Sequence, residues 1–455
     1  MAEVVRGVMG LGLALGVCAL PAAAQSMALP ASDPVGIARG GAQVAYGYSL
    51  EAAATNPSLL ASLKEKGGFY LAGGLEMASF QESLESDLKS RFSTDRNRAI
   101  GAFGFATRMA SGWTLGLKVD EPYLRHGKLP DDAPSRYLGD AIDLSARRME
   151  IQAAWALNPN ISVGFGVGVA RLSFESSSVM RLNVPNDPRV PASGTNAVNG
   201  LVEQRVGQSG NKVVPSYSLG ARWALSPRWT LGFAHQSGLK GEPSLKAGLR
   251  DAALGAYAND GLSAPPLGTN ARVATMLAGS QASAGQGNLE LPSQTTFGVR
   301  HRLNPMVTWE ADLRWTSASL QTPAFASIQT PSGTVSAPWE LPRGKSHLGV
   351  FLSAEVEMGK FWTLRGGLSL DQRSVQENAT EPLLGGSRTA AFSAGLGRKM
   401  WGGELNLGFQ YRQSEDLDTS RLNGVWSSAG YRPVGTRQRL EGMGHIMALG
   451  YKKTF

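Results

Sequence analysis

The residue types that catalysis or metal binding would need are present in this chain but poorly placed for either. Its five histidines, His126, His235, His301, His347 and His445, are scattered and share no metal-ligand spacing. No G-x-S-x-G nucleophile elbow occurs. Gly164-x-Gly166-x-Gly168 has the outline of a phosphate loop, but Phe165, Val167 and Val169 fill the alternate positions, so it reads as one face of a strand. Cys18 is the single cysteine and falls in the leader described below, so the mature chain has neither a disulfide nor a thiolate metal site. No catalytic residue, metal or cofactor is expected. With no dense Lys/Arg run interleaved with aromatics, nucleic acid is not an expected partner either.

The positions that do recur in a pattern are apolar residues alternating with small or polar ones. Trp362, Leu364, Leu368 and Leu370 share one face of a stretch whose other face carries Thr363, Arg365, Gly367, Ser369 and Asp371. Val307, Trp309, Ala311, Leu313 and Trp315 likewise oppose Thr308, Glu310, Asp312, Arg314 and Thr316. Fourteen such stretches are predicted: 67–80, 99–109, 112–120, 145–157, 160–176, 212–225, 228–238, 292–303, 306–318, 345–358, 361–372, 388–399, 401–413 and 441–455. Six of the connections are tight, three of them with an X-Pro turn (Asn158-Pro159-Asn160, Ser226-Pro227-Arg228, Asn304-Pro305-Met306), and they alternate with seven long ones. After the leader no apolar run approaches the ~20 residues of a spanning helix. In a bilayer every backbone N–H and C=O must be paired inside the protein, which a closed barrel of strands achieves. The fold expected is therefore all-β, a 14-stranded antiparallel transmembrane β-barrel over 67–455, with its charged faces turned inward.

Composition and chain ends agree with that reading. The 56 glycines and 18% charged residues suit a large sheet with a small, polar inner wall, and most of the +8 net charge is expected in loops and lumen. Residues 1–24 read as a signal peptide, with Arg6, an apolar stretch from Val8 to Leu20, and Pro21-Ala22-Ala23-Ala24 before the cut. Val17 argues against a lipobox at Cys18. Trp113, Trp155, Trp223, Trp229, Trp309, Trp362 and Trp401 all lie near predicted short turns, as an aromatic belt at one membrane boundary requires. The end, Leu449 to Phe455, looks like the aromatic C-terminal signal read by the barrel-assembly machinery. The expected location is the outer membrane of a Gram-negative cell, among lipid and lipopolysaccharide.

Residues 25–66 break the pattern. They are rich in alanine and glycine, low in charge, and interrupted at Asn56-Pro57-Ser58, where Pro57 disfavours helix at Asn56 and can open a new turn. Such a segment fits inside a lumen as a hatch (plug); a disordered periplasmic tail is the alternative. Arg39, Gly40, Asn56, Pro57 and Ser58 are the candidate hatch and gate residues. Pro122 cannot donate a ladder hydrogen bond and is expected to end or open the third strand, which makes Glu121, Pro122 and Tyr123 a candidate opening in the wall. In the loop 239–291, Leu245, Leu249, Ala252, Ala253, Leu254 and Leu262 are spaced for helical turns with an apolar face, a candidate capture surface or simply a packed loop.

Several segments in order resemble the outer-membrane long-chain fatty-acid transporters and their aromatic-hydrocarbon relatives, the FadL type. They are Ala38-Arg39-Gly40-Gly41-Ala42, Ala54-Thr55-Asn56-Pro57-Ser58-Leu59, Gly116 to Tyr123, Trp223 to Gly232, Leu291 to Val299 with Trp309-Glu310-Ala311-Asp312, and Thr363 to Leu368. The family's Asn-Pro-Ala is Asn56-Pro57-Ser58 here. The resemblance implies a barrel closed by an N-terminal hatch, capture of a hydrophobic small molecule such as a long-chain fatty acid outside, and sideways release beside a kinked third strand. A general diffusion porin is the alternative function, and an outer-membrane enzyme the alternative from another class.

Overall fold

A computed structural model describes residues 28–29, 31–46, 50–85, 91–129, 139–184, 200–251, 280–324, 326–330, 333–335, 344–374, 388–414, 417–418 and 437–455. The expected signal peptide, 1–24, lies outside them. Fourteen long strands follow one another around a ring: β1 Gly67–Glu85, β2 Arg91–Arg108, β3 Trp113–Lys128, β4 Ala141–Ala156, β5 Ile161–Val184, β6 Gly200–Ala224 and β7 Trp229–Gln236. The ring continues with β8 Gln294–Arg302, β9 Val307–Thr316, β10 His347–Met358, β11 Trp362–Asp371, β12 Thr389–Met400, β13 Gly403–Ser414 and β14 Arg437–Thr454. Each pairs antiparallel with its neighbour, and β14 returns to β1 in register from Thr454↔Gly68 to Arg437↔Glu85, so the strands close into a ring. Closure satisfies the backbone in the way a hydrocarbon solvent demands.

Alternation assigns the two faces. Leu71, Ile151, Val167, Phe297, Leu352 and Leu449 point outward and are exposed, while Lys118, Glu150, Glu310, Arg365 and Arg412 point inward and are buried. Trp113 stacks on Trp155 across the β3–β4 pair at 5.6 Å, beside the short turns. On the long-loop side the strands run farther than their apolar pattern. β5 and β6, of 24 and 25 residues, stay paired out to Val184↔Gly200. Hydrophobic alternation is required only at lipid depth; above it the ladder continues with Ser176, Ser178, Gln204 and Gln208 on its inner face, and the period-two signal disappears.

Within the ring lies the segment before β1. It contains one short helix, α1 (Pro34–Ala38), and two 3-10 turns, Ala52–Ala54 and Pro57–Ser62. Val35, Tyr46, Ala52 and Leu59 form its own small core. From the other side, Leu239, Leu289, Leu291 and Leu320 of the long loops pack on Ile142, Leu144, Leu172, Phe174 and Val214 of the inner wall. The loop expectation needs correction here: Lys246–Asp251, which holds Leu249, is a strand paired with β6, not a helical turn. β6 extends past the end of β7 and offers backbone partners there, which outweigh the helical spacing of the leucines. Leu254, Ala252, Ala253 and Leu262 lie outside the described residues.

Candidate functional site

α1 starts where Asp33 accepts a hydrogen bond from the Gly36 N–H at 2.8 Å, and Pro34 occupies the first turn, where a missing donor costs nothing. It ends at Gly40, whose φ of +65° is open to glycine at little cost, with the Gly41 N–H returning to the Gly36 carbonyl at 2.9 Å. That turn aims Arg39 at the barrel wall. Its Nη2 lies 2.6 Å from Glu310 Oε2 on β9, its Nε donates to the Ala42 carbonyl at 2.8 Å, and its guanidinium covers the Tyr46 ring at 4.1 Å. Tyr46 in turn donates to Glu355 Oε2 at 2.8 Å, and Arg365 donates to the same oxygen at 2.7 Å and to Glu404 and Asn406. Burial, and next the Glu355 carboxylate, push the Tyr46 hydroxyl up to about 12, so it stays a donor at any physiological pH.

The wall also holds the hatch by its backbone. Asp312 Oδ2 accepts from the N–H groups of Gln43 and Val44 at 2.9 and 3.0 Å, and Glu310 Oε1 from that of Ala45 at 2.7 Å. Lys118 donates to the Ala54 carbonyl and Gln152 to that of Ala53. Asn56, extended as Pro57 demands, accepts from the N–H and hydroxyl of Ser58 and donates to the carbonyls of Val44 and, on β6, Ala221. Barrel glycines make these approaches possible. A Cβ on Gly220 would stand 2.0 Å from Asn56 Oδ1, and one on Gly367 2.3 Å from the Arg39 carbonyl carbon. The five candidate gate residues are thus brought together on the inner wall, although in two groups: Arg39 and Gly40 against β9 and β11, Asn56 to Ser58 against β5 and β6.

The third strand does not end at Pro122; it bulges. Glu121 and Pro122 together oppose Arg147 of β4, with the register shifting between Asp120↔Arg148 and Tyr123↔Ala146. Its ladder with β2 stops at Val119↔Phe103. Beyond that rung β2 pairs with β1 and β3 with β4 alone, so the wall is split between them. Alternation fails with it, since Tyr123, Leu124, Arg125 and His126 are all buried. The upper half of β3 has moved inward, and Leu124 packs on Ile100, Ile446 and Ala448 of the inner wall and on Leu29 and Ile37 of the hatch. Arg98 of β2 bridges the split directly to Asp143 and Ser145 of β4.

Hatch and split touch. Leu29 N–H donates to the Pro122 carbonyl at 3.1 Å, and the Ser32 hydroxyl donates to the Glu121 carbonyl at 2.9 Å. On the loop side, the Tyr123 hydroxyl donates to the Pro292 carbonyl. A cavity of about 40 Å³ lies at this junction, bordered by Ser32, Asp33, Tyr70, Pro122, Arg148 and Arg314. It has room for water but not for a lipid chain, which needs several hundred Å³. Sequence reasoning missed Ser32, Leu29 and the Asp120–Arg148 pair (2.9 and 2.6 Å), because nothing along the chain marks which lumenal charge meets which. Not every charge on a strand faces the lumen: Arg302 is exposed at a short turn, where it donates to the Pro305 carbonyl.

A closed barrel with an apolar belt, a plugged lumen and a split wall is a Gram-negative outer-membrane transport barrel in architecture. The chain belongs to the outer membrane protein transport protein family (OMPP1/FadL/TodX), whose model matches residues 13–455. That family consists of transporters rather than enzymes. Among solved structures it is similar to a Pseudomonas aeruginosa FadL homologue, with 16% identity, a TM-score of 0.68, and coverage of 95% of this chain and 100% of that one. The P. putida toluene transporter TodX gives 13% identity and a TM-score of 0.61 over 93% of this chain and 98% of the other. The Ralstonia pickettii toluene transporter TbuX gives 14% and 0.58 over the same shares. At these identities the likeness speaks for the fold. No curated protein matches the chain.

Proposed function

We propose that this family member takes up long-chain fatty acids or other apolar small molecules, monoaromatic hydrocarbons included, passively and with sideways release. The external loops collect the ligand, the closed lumen receives it when the hatch shifts, and the split between β2 and β3 lets it leave into the membrane. The observation that supports this most is the contact of hatch and split: the same backbone at Glu121 and Pro122 that ends the β2–β3 ladder accepts hydrogen bonds from Ser32 and Leu29. Ligand pressing on the hatch therefore acts on the opening too. A general diffusion porin would need an open lumen, and the hatch fills this one with ion pairs whose side chains are about 1% exposed or less at Arg39 and Glu310.

Two variants test it. Deleting residues 25–60 should convert a nearly ion-tight barrel into a conducting one in planar bilayers; an unchanged conductance removes the hatch from the mechanism. Deleting Pro122 restores one residue opposite Arg147, lets β3 rejoin β2, and should abolish uptake of a labelled fatty acid and of toluene while the barrel still folds. Wild-type uptake in that variant would rule out the split as the exit.

A further inference from the structure

The outer face of the barrel carries a like-charged pair beside the split. In the β4–β5 ladder Arg147 stands directly opposite Arg171. Both are exposed, Arg147 with 68% of its side chain accessible. The rungs below them on the same face are Met149↔Val169, Ile151↔Val167, Ala153↔Phe165 and Trp155↔Val163, an apolar column that ends at the Asn158–Asn160 turn. From Trp155 to Arg147 is about 26 Å of strand at ~3.3 Å per residue, or about 20 Å of depth at a tilt of roughly 40°. Arg147 and Arg171 therefore meet the boundary of the apolar band opposite the short turns, on the cell surface.

Like charges directly opposite each other on a sheet repel, and next to hydrocarbon the repulsion is poorly screened. Among the described residues Arg147 has one acidic partner, Glu121, at 3.1 Å through Nη2. Among the described residues no acidic side chain pairs with Arg171. The next rung outward is Ser145↔Ser173, two hydroxyls; the acids Asp143 and Glu175 stand one rung beyond, with Asp143 held by Arg98. Two guanidinium forks at the headgroup level match a phosphate that each can grip through N–H groups. At that height in the outer leaflet the phosphates belong to lipopolysaccharide. The geometry points to Arg147 and Arg171 as a seat for a lipid A phosphate at the edge of the wall split.

Because Arg147 also holds Glu121 of the bulge, a seated lipid would lie where an emerging ligand meets the leaflet. The site is tested with the full-length protein in a mild detergent, by native mass spectrometry with added lipid A, its dephosphorylated form, and inorganic phosphate. Wild type should retain phosphorylated lipid A, and Arg171→Gln, which touches neither hatch nor bulge, should weaken retention roughly tenfold, as loss of a bidentate arginine contact implies. Arg147→Gln/Arg171→Gln should bind no better than wild type binds the dephosphorylated lipid. Equal retention of the two lipids by wild type, an undiminished affinity in the double variant, or full displacement by equimolar inorganic phosphate would each overturn the assignment.

Discussion

Single residues decide how firmly the lumen is shut. Arg39 and Glu310 form a buried pair at 2.6 Å, and removing one partner strands the other, a loss of about 3–5 kcal/mol in comparable interiors. Arg39→Met and Glu310→Gln should each raise channel opening in planar bilayers and speed hydrogen exchange over 34–46. Combined, they should cost less than their sum, because the double variant leaves no uncompensated charge; additive effects would mean the pair is not coupled. Asp33 adds a pH dependence. Burial, and next the Glu51 carboxylate, push its carboxyl up from 3.8 to about 6. Between pH 3.8 and about 6 the folded hatch thus holds a proton that the released segment does not, so its packing is strongest at low pH, weakens as pH rises through about 6 and levels off above. Exchange over 33–41 should be slower at pH 5 than at pH 7.5 once the intrinsic rate is corrected. Asp33→Asn, which keeps a capping oxygen, should flatten that difference.

The elements show where sequence patterning succeeds and where it stops. The belt strands were legible because each half-buried sheet position repeats every two residues, and Trp309 to Trp315 or Leu405 to Tyr411 declare their faces outright. The outer thirds of β2, β5 and β6 were not, since no lipid or packed core selects an apolar face there. The hatch was visible as a gap in the pattern, and Asn56-Pro57 as its turn, but its anchors on Glu310, Asp312 and Ala221 are contacts between residues 165 to 268 positions apart, which no local spacing records. Pro122 signalled a break; that β3 continues through it, bulged and displaced, depends on β4 offering a ladder. The glycines of the inner wall carry element-scale meaning of their own. Gly220→Val should leave the β6 ladder intact yet push out Asn56, giving conductance between that of wild type and of the hatch deletion. Unaltered conductance would show that the 56–58 turn does not need that seat.

At the scale of the whole molecule, the barrel is a closed ring whose pairing is interrupted beside the bulge in β3. Among the described residues, the one register shift between neighbouring barrel strands, between Asp120 and Tyr123, lies beside the β2–β3 ladder that stops at Val119↔Phe103. The segment before β1 spans that frame from side to side. Pro34 packs on Gly408 and Gly450 of β13 and β14, Gly40 meets Gly367 of β11, and Pro57 rests on Gly164 of β5. The order in which a chain acquires its contacts follows from this. The segment leaves its synthesis first, but its seats come from both halves of the ring: 57–62 packs on β3 to β6, 34–38 on β11 to β14, and the ring itself is sealed only when Phe455 exchanges both backbone hydrogen bonds with Gly67. Contacts between such distant parts of a sequence are slow to form. Until β14 arrives, the stopper has half a seat, so the barrel and its closure must be completed in one final step of assembly.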